Sequence, residues 1–421
     1  MELKKYRLGD IAKVEISGID KKRKEGQQDV LLCNFVDVYY NWAVTKDNES
    51  KFMPATASDS EIESFTLHKG QVAITKDSET RDDIGVATYI ADDFDNLVVL
   101  GYHTALITPD EEQVCGKYLN ALMHSSYFQR YWSNNASGSG QRYTLSQKVI
   151  EDAPVYLPDI DIQREIGEFF SDLDRKLCLN KKENKILEAM AKQVYDYWFV
   201  QFDFPDTNGR PYKTSGGKMV WNETLKREIP EGWEDKSLSE LSDNEMCSIM
   251  PSSEPDKVFK HFSIPAYDAC GFYEEELGKN ILSNKNVVTE HDVLVSKLNP
   301  WTSRVIWGID DPDAICSTEY VSLRPKSSDE KAYMFMIAKS LPFMKYCTEA
   351  STGTSHSHRR VNPDILRMYK VPYSRNCVKA FCDMTEEFFN RITINKTAEK
   401  ELREQRDFIL PLLMTGQVSI G

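Results

Sequence analysis

The sequence predicts an α+β fold made by internal duplication, with two globular domains joined by two long antiparallel coiled-coil helices in a pseudo-two-fold arrangement. Three observations lead to this prediction. Leu-Asn-Lys at 179–181 returns as Ile-Asn-Lys at 394–396, and the asparagines are 395 − 180 = 215 residues apart. Short β-rich runs separated by turn residues precede each copy of this tripeptide. Around each copy, apolar residues recur three and four positions apart, the spacing of a coiled-coil seam.

Composition indicates a globular protein with two or three domains, because 421 residues combine 41% hydrophobic with 28% charged residues. No apolar run approaches the roughly 20 residues of a membrane span, and the charged segment after Met1 does not resemble a signal peptide. The nine cysteines are an odd number without a CxxC pair, which indicates free thiols. We therefore expect a soluble cytoplasmic protein without a metal site.

The first globular domain is predicted at 1–158. Turn-separated runs of strand character occur at 30–38, 72–75, 86–90 and 97–100. A helical stretch follows near 118–132, and then a loop rich in glycine and serine at 134–141.

A long helix is predicted next, over 159–202, with about 40 residues and a length near 60 Å. Gly167 is its one weak interior position. The proposed seam residues of this helix are Leu173, Leu177, Asn180, Leu187 and Val194. A turn-rich connector, 203–232, leads into the second copy.

The second domain is predicted at 233–373, because four short segments follow those of the first domain in the same order. KGQVAITK (69–76) matches EHDVLVSK (290–297), ALITP (105–109) matches VSLRP (321–325), NASGSG (135–140) matches ASTGTS (350–355), and VYLP (155–158) matches YKVP (369–372). The second long helix is predicted over 374–421, with seam residues Phe388, Ile392, Asn395, Leu402 and Ile409.

Polar residues interrupt both seams. Asn180 and Asn395 occupy seam positions, where a buried asparagine fixes register at a cost in stability. The second seam also contains Thr385, Glu399 and Arg406. The alternative for these three residues is that they face a partner protein.

A duplicated unit with a stiff helix after each copy can hold two similar ligand sites at a fixed separation. This is the geometry that a protein needs to read two half-sites on DNA. The helix length should then set the spacer: deleting four residues should shorten it by about two base pairs. The net charge of −14 opposes DNA binding, because phosphate contacts dominate affinity. Either local basic loops lie on an acidic body, or a partner supplies positive surface.

Candidate DNA contacts follow matched strands and lie in the matched Gly/Ser loops, where cationic and amide side chains can reach phosphates and base edges. In the first domain they are Lys76, Arg81, Gln141, Arg142 and Tyr143. In the second they are Lys297, Asn299, Arg304, His356, Arg359 and Arg360.

Three segments resemble a known family: ITKDSETRDDIGVA (74–87), the connector FPDTNGRPYKTSGGKMVWNETLKREIPEGWE (204–234) and ILPLLMTGQVSI (409–420). Together with the duplication and the two helices, they are similar to the specificity subunit of type I restriction–modification systems. The resemblance implies two target-recognition domains, each reading half of a bipartite sequence in double-stranded DNA. It also implies helices that dock two modification (adenine methyltransferase) subunits, with restriction subunits joining the full complex. S-adenosylmethionine would then be a cofactor of the methyltransferase, and this chain would have none.

Enzyme motifs are absent, so we predict a non-catalytic chain. There is no GxxxxGK[ST] phosphate loop, and Asn299-Pro300-Trp301 lacks the second proline of the aminomethyltransferase motif. Two alternatives remain: a scaffold with duplicated modules and no nucleic-acid role, which the acidic charge favours, and an enzyme with an unrecognised site.

Overall fold

The computed structural model describes residues 2–243, 246–353 and 358–418. The chain forms two units. The first comprises Met1–Leu179 together with Glu399–Gly421, and the second comprises Asn180–Ala398. Both long helices therefore contribute residues to each unit.

The first unit contains strands β1 to β13 in chain order. They are β1 Lys4–Arg7, β2 Ala12–Ile16, β3 Gln28–Cys33, β4 Ala43–Val44, β5 Met53–Ala57, β6 Val72–Thr75, β7 Asp77–Ser78, β8 Ala87–Ile90, β9 Val98–Leu100, β10 Thr104–Pro109, β11 Ser137–Ser139, β12 Arg142–Thr144 and β13 Pro154–Leu157. Its helices are α1 Leu8–Ile11, α2 Phe35–Tyr39, α3 Lys46–Glu49, α4 Asp59–Phe65, α5 Gly116–Met123, α6 Ser126–Asn135, α7 Gln147–Glu151 and the first part of α8 Ile160–Tyr195.

The second unit contains strands β14 to β27. They are β14 Met219–Asn222, β15 Arg227–Pro230, β16 Glu234–Ser237, β17 Ser242–Asp243, β18 Ser248–Ile249, β19 Val258–Phe262, β20 Glu274–Leu277, β21 Lys285–Val287, β22 Val293–Ser296, β23 Val305–Trp307, β24 Ala314–Ser317, β25 Tyr320–Ser322, β26 Arg324–Pro325 and β27 Lys370–Tyr373. Its helices are the rest of α8, α9 Leu238–Leu241, α10 Ile264–Cys270, α11 Lys331–Lys339, α12 Leu341–Glu349, α13 Pro363–Arg367 and most of α14 Arg375–Met414.

The two units repeat one topology. In the first, β6 lies between β10 and β8, antiparallel to both, and in the second β22 lies in the same way between β25 and β23. In the first, β3 pairs antiparallel with β5 and parallel with β9, and β19 pairs likewise with β20 and β24. The pairs β1–β13 and β16–β27 each precede a long helix. The predicted α+β class and the duplication are confirmed.

The core of the first unit packs sheet against helix. Buried residues of the central sheet and of α5 and α6, such as Ile74, Leu119 and Trp132, form one cluster with Ile166 and Phe170 of α8. Leu410, Leu413 and Met414 of α14 complete this cluster. Burial of these side chains stabilises the unit by roughly 1.5–3 kcal/mol each.

Gly167 is a packing requirement of α8. A Cβ atom at this position would lie 2.8 Å from Lys117 Cβ and 2.8 Å from the Tyr118 backbone nitrogen. Only glycine permits such close approach of α8 to α5, so this residue favours the fold although it lowers helix propensity.

The two long helices run antiparallel within the second unit. Asn184 of α8 lies beside Asn395 of α14, whose Nδ2 donates to Asn184 Oδ1 at 2.9 Å and to Glu183 Oε2 at 2.8 Å. Further along α8, the Tyr195 ring packs against Phe381, which precedes Asn395 in α14. The seam residues named from the sequence are all buried or half-buried. Asn395 is thus paired with Asn184, which lies one turn after the seam residue Asn180 in α8.

The polar residues of the second seam are accommodated inside the protein and do not form a free face. Thr385 is fully buried and its hydroxyl donates to the Phe381 carbonyl of its own helix. Glu399 is 7% exposed and accepts from Arg403 Nη2 at 3.3 Å. In the first unit, the Arg406 guanidinium lies 5.2 Å from the centre of the Trp42 ring.

Several local predictions were wrong. The run 30–38 is a strand only to Cys33, because Asn34 and Asp37 form a capping box that starts α2. The single helix near 118–132 is two helices, since Ser125 caps a new one. The Gly/Ser loop forms strand β11 and the turn of the hairpin β11–β12. The connector, which was predicted only as turn-rich, also contains the hairpin β14–β15.

None of the helices in the described ranges combines the length and apolarity that crossing a bilayer requires.

Unfolding should be pH-dependent through His124. Burial first, and then the charge of Arg406, lowers the pKa of His124 from 6.5 to about 4. The unfolded state binds this proton at a higher pH than the folded state does. The free energy of unfolding therefore decreases by about 3 kcal/mol as the pH falls from 6.5 to 4. We expect His124→Gln to flatten the dependence of the urea-unfolding midpoint on pH in this window. His68→Gln, at an exposed histidine, should leave it unchanged, and equal slopes in all three proteins would contradict the assignment.

Candidate nucleic-acid interface

The first candidate surface forms where β6 ends. The backbone nitrogen of Lys76, the next residue, donates to the His103 carbonyl at 2.9 Å, and its carbonyl accepts from Leu145 N at 2.8 Å. The chain continues into β7, which pairs with β12, the second strand of the Gly/Ser hairpin. Two segments about 65 residues apart in sequence thus meet in one small sheet.

This sheet gathers the predicted residues of the first unit, here called the first strand-end cluster: Lys76, Arg81, Gln141, Arg142 and Tyr143. The Arg81 guanidinium lies 5.1 Å from the centre of the Tyr143 ring, a cation–π contact. The Arg142 side chain is 64% exposed, and Gln141 occupies the exposed hairpin turn. Lys76 is only 14% exposed because its ammonium pairs with Asp77 at 2.9 Å.

The turn needs glycine. Gly138 has φ of +128° and Gly140 has φ of +77°, values that side-chain-bearing residues rarely adopt. A Cβ atom on Gly138 would lie 2.2 Å from the Arg142 carbonyl oxygen. The glycines thus let β11 approach β12 and present Arg142.

The acidic residues of this loop are bound by neighbours. Burial raises the pKa of Asp77, but hydrogen bonds from Thr144, His103 and Lys76 outweigh it and bring the pKa below its ordinary value. Asp83 accepts from the Tyr39 hydroxyl at 2.7 Å, and Asp82 accepts from the Ser133 hydroxyl at 3.2 Å. Three carboxylates of this loop are thus hydrogen-bonded to neighbouring side chains of the fold.

The second unit repeats the arrangement after β22. The backbone nitrogen of Lys297 donates to the Glu319 carbonyl at 2.8 Å, and its carbonyl accepts from Val361 N at 3.1 Å. Asn299 has φ of +48° and exchanges bonds with Arg359: its N–H donates to the Arg359 carbonyl at 2.8 Å, and its Oδ1 accepts from Arg359 N at 3.1 Å. The second strand-end cluster therefore comprises Lys297, Asn299, Arg304, Arg359 and Arg360.

The arginines of the second cluster differ in availability. Arg304 is 10% exposed and holds Asp268 with two hydrogen bonds of 2.6 and 2.8 Å. Arg360 grips Glu319 and keeps 48% of its side chain exposed. Arg359 donates to the Ser351 carbonyl at 2.5 Å. Arg304 thus has a clear structural role, whereas Lys297 and Arg360 reach solvent.

The structure thus brings together every predicted contact of each unit that it describes, and His356 lies outside the described residues. Sequence reasoning missed His103 and Glu319, which occupy equivalent positions before the strands β10 and β25. Only the strand alignment (ALITP with VSLRP) could have pointed to them, because each lies two residues before the matched segment. Within the described ranges, no three His, Cys, Asp or Glu side chains lie close enough to hold a metal ion.

Known proteins share this duplicated arrangement. The family model of the type I restriction modification DNA specificity domain matches residues 1–189. The type I restriction enzyme HindI specificity subunit of Haemophilus influenzae is 22% identical, over 99% of this chain and 99% of its own. Residues 1–189 thus match this family's specificity domain, and nearly the whole chain is similar to a type I restriction enzyme specificity subunit.

Two further relatives agree. The MjaIX specificity subunit of Methanocaldococcus jannaschii is 22% identical over 74% of this chain and 71% of its own. The crystal structure of the type I restriction–modification S subunit from M. genitalium has the same fold, with a TM-score of 0.62 at 12% identity, over 98% of this chain and 96% of that one.

Proposed function

We propose that this specificity subunit recognises a bipartite sequence in double-stranded DNA, each unit reading one half through its strand-end cluster. The observation that carries the proposal is the repeated backbone pairing, Lys76 with Leu145 and Lys297 with Val361. In both units it brings cationic and amide side chains from two distant segments to one surface. Such side chains bind phosphates and the hydrogen-bonding edges of bases.

The acidic net charge of −14 sets a limit on this role. Phosphate contacts supply most non-specific affinity, and few exposed cations in the clusters lack a carboxylate neighbour. We therefore propose that the isolated chain binds DNA weakly and that the methyltransferase subunits supply much of the positive surface. The chain itself is non-catalytic in this proposal. Methylation of adenine, with S-adenosylmethionine as cofactor, belongs to the methyltransferase subunits, and restriction subunits complete the assembly.

The long helices provide a docking surface for those subunits. Ile186 and Met190 lie four residues apart on α8 and are 52% and 45% exposed, and Tyr197, two residues after the end of α8, is 37% exposed. Beside them in the second unit, a groove of about 1050 Å³ is lined by apolar residues such as Phe199 and by lysines of α8. Exposed apolar stripes of this kind mark protein–protein contacts.

The scaffold alternative shares the docking surface but predicts no DNA contact. The DNA affinity of the Arg142→Ala and Lys297→Ala variants distinguishes the two functions.

Arg142→Ala and Lys297→Ala should each weaken specific binding through a different half of the target. In a complex with the methyltransferase subunits, we expect about a tenfold loss of affinity for the cognate duplex from each change, because each removes a charged contact. Base substitutions in the duplex should show that the two variants lose discrimination at different half-sites. Arg130→Ala and Lys345→Ala remove exposed cations of α6 and α12 and should have no effect. Unaltered affinity in all four variants would favour the scaffold.

The double variant Ile186→Glu/Met190→Glu should lose the methyltransferase subunits, because it places two charges in an apolar contact. We expect at least tenfold less co-purified methyltransferase, with an unchanged melting temperature. Lys181→Glu, elsewhere on the same helix, changes the net charge by the same two units and should retain the partner. Equal retention by both proteins would show that the stripe is not the docking surface.

Shortening both helices by one heptad should shorten the DNA spacer. Deleting 174–180 and 399–405 keeps the three–four seam spacing and retains the Asn184–Asn395 contact. The loss of about 10 Å of helix corresponds to about three base pairs. Mapping of methylated motifs should find the same half-sites with the shorter spacer, and an unchanged spacer in an active, folded variant would contradict the ruler function.

A further inference from the structure

His103 is held in an unusual backbone conformation beside the first strand-end cluster. Its φ is +71°, a left-handed value that costs energy for any residue with a side chain. Its carbonyl accepts from Lys76 N, and its ring nitrogen Nδ1 lies 2.6 Å from Asp77 Oδ2. Backbone and side chain are thus both fixed by the segment that follows β6.

Asp77 determines which ring nitrogen faces solvent. Its carboxylate, only 8% exposed, accepts from Nδ1 and from Lys76 Nζ. Because Nδ1 is committed to Asp77, the other ring nitrogen, Nε2, is the group left to bind a ligand. No protein group within the described ranges hydrogen-bonds to Nε2, and 36% of the side chain is exposed.

The neighbours of His103 are those of a nucleic-acid contact. The Tyr102 ring packs on the imidazole with ring centres 3.7 Å apart and is 41% exposed. The Arg142 Nη2 atom lies 3.4 Å from His103 Nδ1. An exposed aromatic ring, an imidazole and a guanidinium on one surface provide stacking and directional hydrogen bonds.

The second unit has a carboxylate at the equivalent position. Glu319 offers its carbonyl to Lys297 N as His103 does to Lys76 N, but its side chain binds Arg360. The backbone framework is therefore the same, while the group presented to solvent differs.

We propose that His103 is a specificity-determining DNA contact of the first unit, with Nε2 bound to a base edge, and that Asp77 is its positioning residue. The Glu319–Arg360 pair is its counterpart in the second unit. This inference rests on the proposed function, since it names a residue that reads one half of the target.

The test uses the complex of the full chain with its methyltransferase subunits and a set of duplexes, each with one base pair of the target changed. For His103→Ala we expect discrimination to fall about tenfold or more at one or two adjacent pairs of one half-site. Discrimination at the other half-site should be unchanged. Asp77→Asn should weaken discrimination at the same pairs, because the ring is no longer oriented. A purely structural defect would instead lower affinity for all duplexes equally.

His68→Ala is the matched control, because His68 is an exposed histidine of the same unit that also lies near an aspartate, Asp93, at 3.9 Å. It should behave as the unaltered chain does. If the unaltered complex discriminates among duplexes and folded His103→Ala does so equally at every position, the inference about His103 is wrong. If the unaltered complex discriminates at no position, the proposed function itself fails.

Discussion

The backbone pairing between the residue after a central strand and the segment beyond the Gly/Ser turn is the constraint on which the recognition surface depends. Lys76 with Leu145, and Lys297 with Val361, are the same contact made twice. Each is a hydrogen bond between main-chain groups, so the bond itself does not require a particular side chain. That independence lets the side chains around it vary while the surface keeps its shape, which suits the proposed recognition of two half-sites with one architecture.

The two strand-end clusters show how much they vary. The first holds a carboxylate, an imidazole and a lysine in one partly buried network, with Arg142 at its exposed edge. In the second, Arg360 pairs with Glu319 and Arg304 pairs with Asp268. In both, charge is largely neutralised locally, so the clusters favour directional hydrogen bonding over simple attraction for phosphate. The acidic net charge of the chain is consistent with clusters that favour directional hydrogen bonding over attraction for phosphate.

The sequence was sufficient for the fold class, the duplication and the positions of the long helices, because strand order and seam spacing are periodic signals. The strand at 72–75 was located to the residue. Local features were not predicted where a polar side chain interrupts a strand pattern, as at the Asn34–Asp37 capping box, which ends β3 and starts α2. Gly167 was misjudged, since propensity is visible in sequence whereas the approach of Lys117 and Tyr118 is not. His103 was missed because its role depends on a left-handed backbone and a partner 26 residues away.

The first unit is discontinuous in sequence, and this has a consequence for biogenesis. Leu410, Leu413 and Met414 belong to its core, although more than 200 residues of the second unit are translated before them. During synthesis, the N-terminal module therefore emerges with an apolar gap on its surface that only the last turns of α14 fill. The second unit has all its segments in one stretch of chain and can finish folding first, which reverses the usual N-to-C order of domain maturation.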